Sequence, residues 1–195
     1  MAKRRKKKPS SGAPLSPEKY VIQRGRSLEL EYCLANPNWQ ETGMAQVMVV
    51  RKQPSGFFAS GMYLLDTYCL GLKDTTSHIR LQTVDVENLI QSLTQISQSK
   101  LEKISYELAH NLIYGSIDYA DELGFRPHKD FRVTQHLLED DENETIPILD
   151  LEFGKDGKPF YIPGPYDNSD QVLIKLMEKL GPDGFEFAAN PAGFD

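Results

Sequence analysis

The sequence predicts an α+β fold in which helices cover one face of an antiparallel sheet. Segments with strand composition and segments with helical spacing are grouped along the chain, whereas α/β proteins alternate them. Turn residues at 53–56 and 154–157 each separate two short apolar segments, which is typical of β-hairpins. From about residue 84 apolar residues recur with helical spacing, which predicts three to four helices.

Each element follows from its local pattern. Alternating polar and apolar residues predict a strand over 27–34, and β-branched residues predict the first hairpin from 45–52 and 57–68. The second hairpin is predicted from 146–153 and 159–162. The predicted helices cover 85–98, 100–124, 131–138 and 171–180. In the second of these helices Ser99 is expected to be the N-cap.

Composition and length indicate one domain of ordinary size. The 195 residues, 39% of them hydrophobic, suffice for a substantial core. We expect a disordered basic tail over 1–19, a single domain over 20–182 and an irregular C-terminal tail over 183–195. No apolar run is long enough to span a bilayer and no secretory signal is recognised, so neither a membrane nor export is predicted.

The two cysteines predict a reducing environment. Cys33 and Cys69 lack the spacing of a zinc site or a redox motif, and we interpret them as reduced, buried thiols of a cytoplasmic protein. A disulfide between them is the alternative.

The charge is distributed unevenly. Six cations occupy the first eight residues, while the whole chain has a net charge of −6, so the remaining residues carry −12. Clustered cations bind polyanions by releasing condensed counterions, which points to RNA, DNA or a ribonucleoprotein as partner. The predicted nucleic-acid-binding residues are Lys3, Arg4, Arg5, Lys6, Lys7 and Lys8.

A polar stripe runs along the predicted helix 100–124. Its members are Glu107, Asn111, Tyr114, Asp118 and Asp121, with His110 at its edge. One interpretation is a solvated face. The other is a socket for a metal ion or a basic partner, because no lysine or arginine lies between residues 104 and 125. Glu107 and His110 have the Glu-x-x-His spacing of di-metal sites, but the chain holds only one such pair.

Further candidates for catalysis lie at element ends. Asp66 and Asp74 follow a strand and are of the type that binds divalent ions in nucleases, although such residues also cap turns. His128 could act as a base that is oriented by Asp130, or it could bind a metal ion together with His110. The structural alternative is that His128 caps carbonyls at a helix end. No nucleotide, zinc or hydrolase motif is present, and no cofactor is predicted.

The segment Gly124–Phe131 predicts a stiff corner between two helices. Gly124 is expected to end the first helix with positive φ, and Pro127 prevents that helix from continuing. Phe125 and Phe131 are expected to point inward on either side of the turn.

Several blocks resemble a family of bacterial, Bacteroidetes-type hypothetical proteins. The blocks include Tyr63–Asp66, Cys69–Asp74, His110–Gly115 and Gly124–Phe131. The resemblance implies a shared domain over most of 20–162 and assigns no activity and no catalytic residue.

Three functions remain open from the sequence, and whether the protein is an enzyme is not decided. The first is a non-catalytic module that associates with nucleic acid or a ribonucleoprotein through Lys3–Lys8. The second is a metal-dependent hydrolase or nuclease that uses Asp66, Asp74, Glu107, His110, Asp118 and His128. The third is a protein-interaction domain whose basic tail docks on the acidic run 139–144 or on the polar stripe.

Overall fold

The computed structural model describes residues 15–188. A five-stranded antiparallel sheet with the order β4-β3-β2-β1-β5 forms its centre, which confirms the α+β class. Its strands are β1 Glu29–Ala35, β2 Met44–Lys52, β3 Phe58–Asp66, β4 Gly71–Leu81 and β5 Glu102–Ile104. The six cations of the predicted tail lie outside the described residues.

Within the described residues, six α-helices, two short 3-10 helices and a small second sheet surround these strands. The helices are α1 Pro17–Arg24, α2 Trp39–Thr42, α3 Thr83–Ser97, α4 Tyr106–Glu122, α5 Phe131–Thr134 and α6 Ser169–Leu180. The second sheet pairs β6 Phe160–Tyr161 in parallel with β7 Glu186–Phe187. Within residues 15–188, no helix combines the length and the apolar character needed to cross a membrane.

Helices cover both faces of the sheet, so the expectation of one covered face is wrong. Val47 and Val49 of β2 pack with Leu112 of α4, while Met48 and Val50 pack with α3. A strand buried on both faces is apolar at successive positions instead of alternating. The run Val47–Val50 shows this pattern.

The strand β4 is absent from the sequence prediction. Its sequence is polar (GLKDTTSHIRL) because it forms one edge of the sheet, where hydrophobic composition is not required. It pairs along β3 from Phe58 to Asp66, with irregular register at two positions. Propensity alone does not distinguish such an edge strand from a loop.

The predicted second hairpin is wrong. Residues 146–153 form no strand, and the predicted return strand is reduced to β6. The backbone of 147–149 bonds instead to the side chain of Asn111 on α4. Side-chain partners of this kind satisfy the hydrogen-bonding groups of a backbone that is not paired with another strand, and they leave no periodic signal in the sequence.

Both predicted tail boundaries need correction. The helix α1 begins inside the predicted tail 1–19, with Ser16 as its N-cap and the side chain of Val21 buried. At the other end, β7 and the buried Phe185 lie inside the predicted tail 183–195. The predicted helix 100–124 also starts later, because Ser105 and not Ser99 accepts the capping hydrogen bond from Leu108 N.

The corner after α4 is confirmed. Gly124 has φ +89°, Phe125 N donates to Ala120 O over 2.8 Å, and Gly124 N donates to Asp121 O over 2.9 Å. These two bonds define a Schellman motif. Phe125 and Phe131 are half-buried and pack against different hydrophobic clusters.

Candidate functional site: a basic cleft and the covered polar stripe

A cleft of about 480 Å³ opens between the start of β4, the corner after α4 and the N-terminal part of α6. Leu70, Leu72 and Val172 contribute apolar surface to it. Its polar and aromatic lining includes Lys73, Arg126, His128, Tyr166, Asp167 and Lys175. We call this feature the basic cleft, since four of these six side chains are basic and one is acidic.

The Schellman corner positions one wall of the basic cleft. It turns the chain so that Phe125 packs with Leu176 of α6 while also lining the cleft. Lys175 Nζ donates to Gly124 O over 2.7 Å and lies 5.1 Å from the centre of the Phe125 ring. Lys175 therefore links α6 to the corner with its charge held over an aromatic face.

The most enclosed polar groups of the basic cleft are Lys73 and Asp167. Lys73 Nζ lies 2.7 Å from Asp167 Oδ2, and the two side chains are 18% and 11% exposed. Gly164 N also donates to Asp167 Oδ2, over 2.8 Å. In the part of the chain that is described, Asp167 is the only hydrogen-bond acceptor of Lys73 Nζ.

His128 lies near two carboxylates. Its Nδ1 is 3.8 Å from Asp74 Oδ1 and 3.9 Å from Asp130 Oδ2, and it accepts a long hydrogen bond from Asp130 N. Its backbone N–H donates to Leu72 O at the edge of the sheet. Among residues 15–188 the ring caps no helix carbonyl, so the interpretation of His128 as a helix-end cap is wrong. The ring faces the cleft.

Asp66 and Asp74 have different environments. Asp66 is 4% exposed and accepts hydrogen bonds from Tyr68 N and Cys69 N, as a turn cap does. Burial raises the pKa of the Asp66 carboxyl to about 6, against the opposing charge of Lys73. The side chain of Asp74 is 61% exposed and bonds to Thr75 N. Asp66 is therefore a turn cap, as the alternative interpretation predicted, whereas Asp74 lies within β4 and caps no turn among the described residues.

The polar stripe of α4 is covered by the chain itself over much of its length. Asn111 Nδ2 donates to Pro147 O over 3.0 Å, and its Oδ1 accepts from Leu149 N over 2.9 Å. Tyr114 Oη donates to Glu139 O over 3.2 Å, and His110 Nε2 lies 3.3 Å from the same oxygen. We call residues 139–153 the strap. The stripe is neither a solvated face nor an open socket at these positions.

The start of the strap is held by a residue that the sequence analysis did not select. Arg51 on β2 is buried and donates to Leu137 O and Leu28 O, each over 2.7 Å. Its second terminal nitrogen lies 3.2 Å from Glu139 Oε1. The signal in the sequence is one arginine directly after four consecutive buried apolar positions of a central strand.

Exposed carboxylates remain at the C-terminal half of α4 and on the strap. We call this group the acidic ridge, and its members are Asp118, Asp121, Glu122, Asp140, Asp141 and Glu142. Partial burial, followed by the charges of Asp141 and Asp121, raises the pKa of Asp118. Burial and these neighbouring charges favour the neutral form of the Asp118 carboxyl, while Asp140 and Asp121 pair with Arg26 and Arg126.

The metal-site candidates are not assembled into one site. His110 contacts the strap, Glu107 offers its backbone O to Asn111, and Asp118 is exposed on the acidic ridge. Among residues 15–188, no group of three or more His, Cys, Asp or Glu side chains has an arrangement that fits a metal ion. Cys33 and Cys69 are both buried and are not joined by a disulfide, which confirms the prediction that they are buried.

Comparisons with protein-family models, with curated proteins and with solved structures gave no match. The cleft residues Lys73, Arg126, Tyr166 and Lys175 come from distant segments, and no local motif connects them. Of this region, only the corner Gly124–Phe131 could be predicted from the sequence.

Proposed function

We propose that the protein is a non-catalytic binding module that associates with nucleic acid or a ribonucleoprotein in the cytoplasm. The observation that carries this proposal is the basic cleft, which is lined by an exposed aromatic ring, apolar surface and three cations, two of them paired with carboxylates. Proteins that bind single strands combine the same two elements, cations for the phosphates and aromatic rings for the bases. Lys3–Lys8 supplies further positive charge in the chain.

The charge distribution supports a division of work between these two basic regions. Without Lys3–Lys8 the net charge is −12, which repels a phosphate backbone from most of the domain. The basic cleft places Lys73, Arg126 and Lys175 on this surface, beside the carboxylates of Asp121 and Asp167. We expect the N-terminal cations to provide most of the attraction and the cleft to define where the strand lies.

A hydrolase is less well supported. Of its six candidate residues, Asp66 caps a buried turn and His110 bonds to the strap, while Asp74 and Asp118 are exposed in different surroundings. A hydrolase that depends on a divalent ion needs carboxylates that converge on that ion. His128 is the one candidate in the basic cleft, where Lys73 and Arg126 suit an anion better than a cation.

The test is fluorescence anisotropy with a labelled 12-nucleotide single-stranded RNA at several salt concentrations. We compare the full chain with a variant in which Lys3–Lys8 are replaced by glutamine, and with the double variant Arg126→Ala/Lys175→Ala. The first variant should reduce the slope of log K against log salt by up to about 4, since each released counterion on a single strand contributes about 0.7. The double variant should reduce it by about 1.

The matched control is Arg24→Ala/Lys100→Ala, which removes the same charges from exposed positions outside the basic cleft. It should leave the slope nearly unchanged. If the full chain binds neither single-stranded nor duplex nucleic acid at low salt, the proposed function is wrong.

A second candidate is favoured by the acidic ridge, where partial burial and then the neighbouring carboxylates raise the pKa of Asp118. In this alternative Lys3–Lys8 docks on the ridge and the domain acts in protein interaction. Backbone NMR shifts of the ridge residues, compared between the full chain and the glutamine variant at low salt, distinguish the two. Identical shifts contradict self-docking.

A further inference from the structure

We infer that the basic cleft takes one unpaired nucleotide, with its base between Tyr166 and the apolar surface and its phosphate at Arg126 and Lys175. In this arrangement the edge of the base meets the Lys73–Asp167 pair. The inference rests on the proposed function and deepens it, because it names the class of ligand as a single strand with an accessible base.

The polar groups of the cleft are graded by exposure. Tyr166 is 98% exposed, and the side chain of Arg126, which forms a surface ion pair with Asp121, is 82% exposed. Lys73 and Asp167 are nearly enclosed. Cations on the rim suit a phosphate that stays hydrated. An enclosed donor and acceptor suit the edge of a base, where hydrogen bonds are made with little competition from water.

The Lys73–Asp167 pair retains hydrogen-bonding capacity. An ammonium group has three N–H donors, and in residues 15–188 the only acceptor for Lys73 Nζ is Asp167. A carboxylate accepts about four hydrogen bonds, of which Lys73 and Gly164 provide two. Enclosing an ion pair costs free energy unless further hydrogen bonds are made. A base edge that offers an acceptor beside a donor makes them.

Tyr166 offers a face for stacking. Its ring is almost fully solvent-exposed, yet it lines the same cleft as Phe125, whose ring already lies beneath the Lys175 ammonium. Stacking of a base on an aromatic side chain contributes about 1–3 kcal/mol and is tolerant of sequence.

The size of the cleft fits one nucleotide. Ligand pockets for small molecules usually measure about 300–1,000 Å³, and this cleft measures about 480 Å³. A base within a duplex is stacked and paired, and removing it from the duplex costs free energy. A single strand should therefore bind more tightly than a duplex of the same length and charge.

The experiment separates the inference from the proposed function. Wild type, Tyr166→Ala and Tyr166→Phe are titrated with a single strand that contains 2-aminopurine, whose fluorescence is quenched on stacking. Uridine, cytidine, adenosine and guanosine 5′-monophosphates are compared with ribose 5-phosphate by chemical-shift mapping. Ile148→Ala, 94% exposed and outside the basic cleft, is the matched control.

We expect Tyr166→Ala to weaken single-strand binding by about fivefold to a hundredfold and to abolish quenching. Tyr166→Phe and Ile148→Ala should behave as wild type. At least one nucleotide should shift the signals of Lys73, Asp167 and their neighbours more than ribose 5-phosphate does. Because Tyr166 is exposed, loss of folding does not explain a loss of binding.

Two results overturn the inference. If the full chain binds RNA with the expected salt dependence but Tyr166→Ala has unchanged affinity and quenching, the cleft is not the base site and the proposed function stands. If ribose 5-phosphate and every nucleotide shift the same signals equally, the cleft recognises phosphate alone.

A different result would overturn the proposed function instead. If only the monophosphates bind and no polymer does, the proposed function fails while the cleft site stands.

Discussion

The basic cleft and the strap-covered stripe of α4 are both polar, but their hydrogen-bonding capacity is used differently. Arg51 and Asn111 direct their donors to backbone carbonyls of the same chain. Within residues 15–188, Lys73 Nζ donates to one side-chain carboxylate, that of Asp167, and Tyr166 is almost fully exposed. Polar groups that are satisfied internally stabilise the fold, whereas enclosed groups with unused capacity are available to a ligand.

The largest expected effect is on the strap side, in the variant Arg51→Met. This change removes a buried guanidinium and leaves the carbonyls of Leu28 and Leu137 and the Glu139 carboxylate without their partner. We expect a loss of about 3–5 kcal/mol in the free energy of unfolding, measured by urea denaturation. Arg24→Met, at an exposed position, should change it by less than about 0.5 kcal/mol. A small loss in Arg51→Met would show that the strap is held elsewhere.

The next effect concerns Asp66, whose charge interacts with Lys73 of the basic cleft. Because burial raises its folded pKa from 3.8 to about 6, the folded state holds the proton more tightly. The raised pKa of Asp66 therefore stabilises the folded state fully below about pH 4, and this stabilisation is lost as the pH rises to about 6. Asn cannot titrate and keeps an acceptor for Tyr68 N and Cys69 N.

The free energy of unfolding of Asp66→Asn minus that of wild type should thus rise by on the order of 2 kcal/mol between pH 4 and 6.5. Urea denaturation at several pH values measures this difference. A difference that falls with pH would mean that Lys73 and the backbone donors outweigh burial.

A third effect distinguishes the corner from the groups that line the basic cleft. Gly124→Ala should cost about 1 kcal/mol, because φ +89° is unfavourable for alanine, and Lys175 Cδ at 3.5 Å leaves room for its Cβ. Thermal denaturation measures the cost. We expect RNA affinity to change little while the protein is folded, and a large loss of affinity would show that the corner adjusts on binding.

Features of the fold whose residues are close together in the sequence could be predicted, and features that depend on distant residues could not. The corner at Gly124 is local, because a glycine, two aromatic residues and a proline define it within a few positions. The strap depends on Asn111, Tyr114 and Arg51, which are distant from it in sequence, so its backbone partners leave no pattern of their own. The same distance hides the cleft, since Lys73 meets Asp167 across 94 positions. The structure identifies both regions because it supplies these contacts.

The smallest expected effect is at the junction of the two charged regions, where Arg126 of the basic cleft pairs with Asp121 of the acidic ridge. Both side chains are substantially exposed, so Asp121→Asn should change stability by less than about 0.5 kcal/mol. It should nevertheless raise RNA affinity about twofold at low salt, because it frees the guanidinium and removes a repelling charge. Fluorescence anisotropy at about 50 mM and 500 mM salt measures this gain. The gain should vanish at the higher concentration, because the Debye length falls below about 5 Å.

The control is Glu41→Gln, which removes a charge from the exposed surface of α2 and should give no comparable gain. An equal gain in both variants would mean that only total charge matters and that Arg126 has no specific role in the cleft.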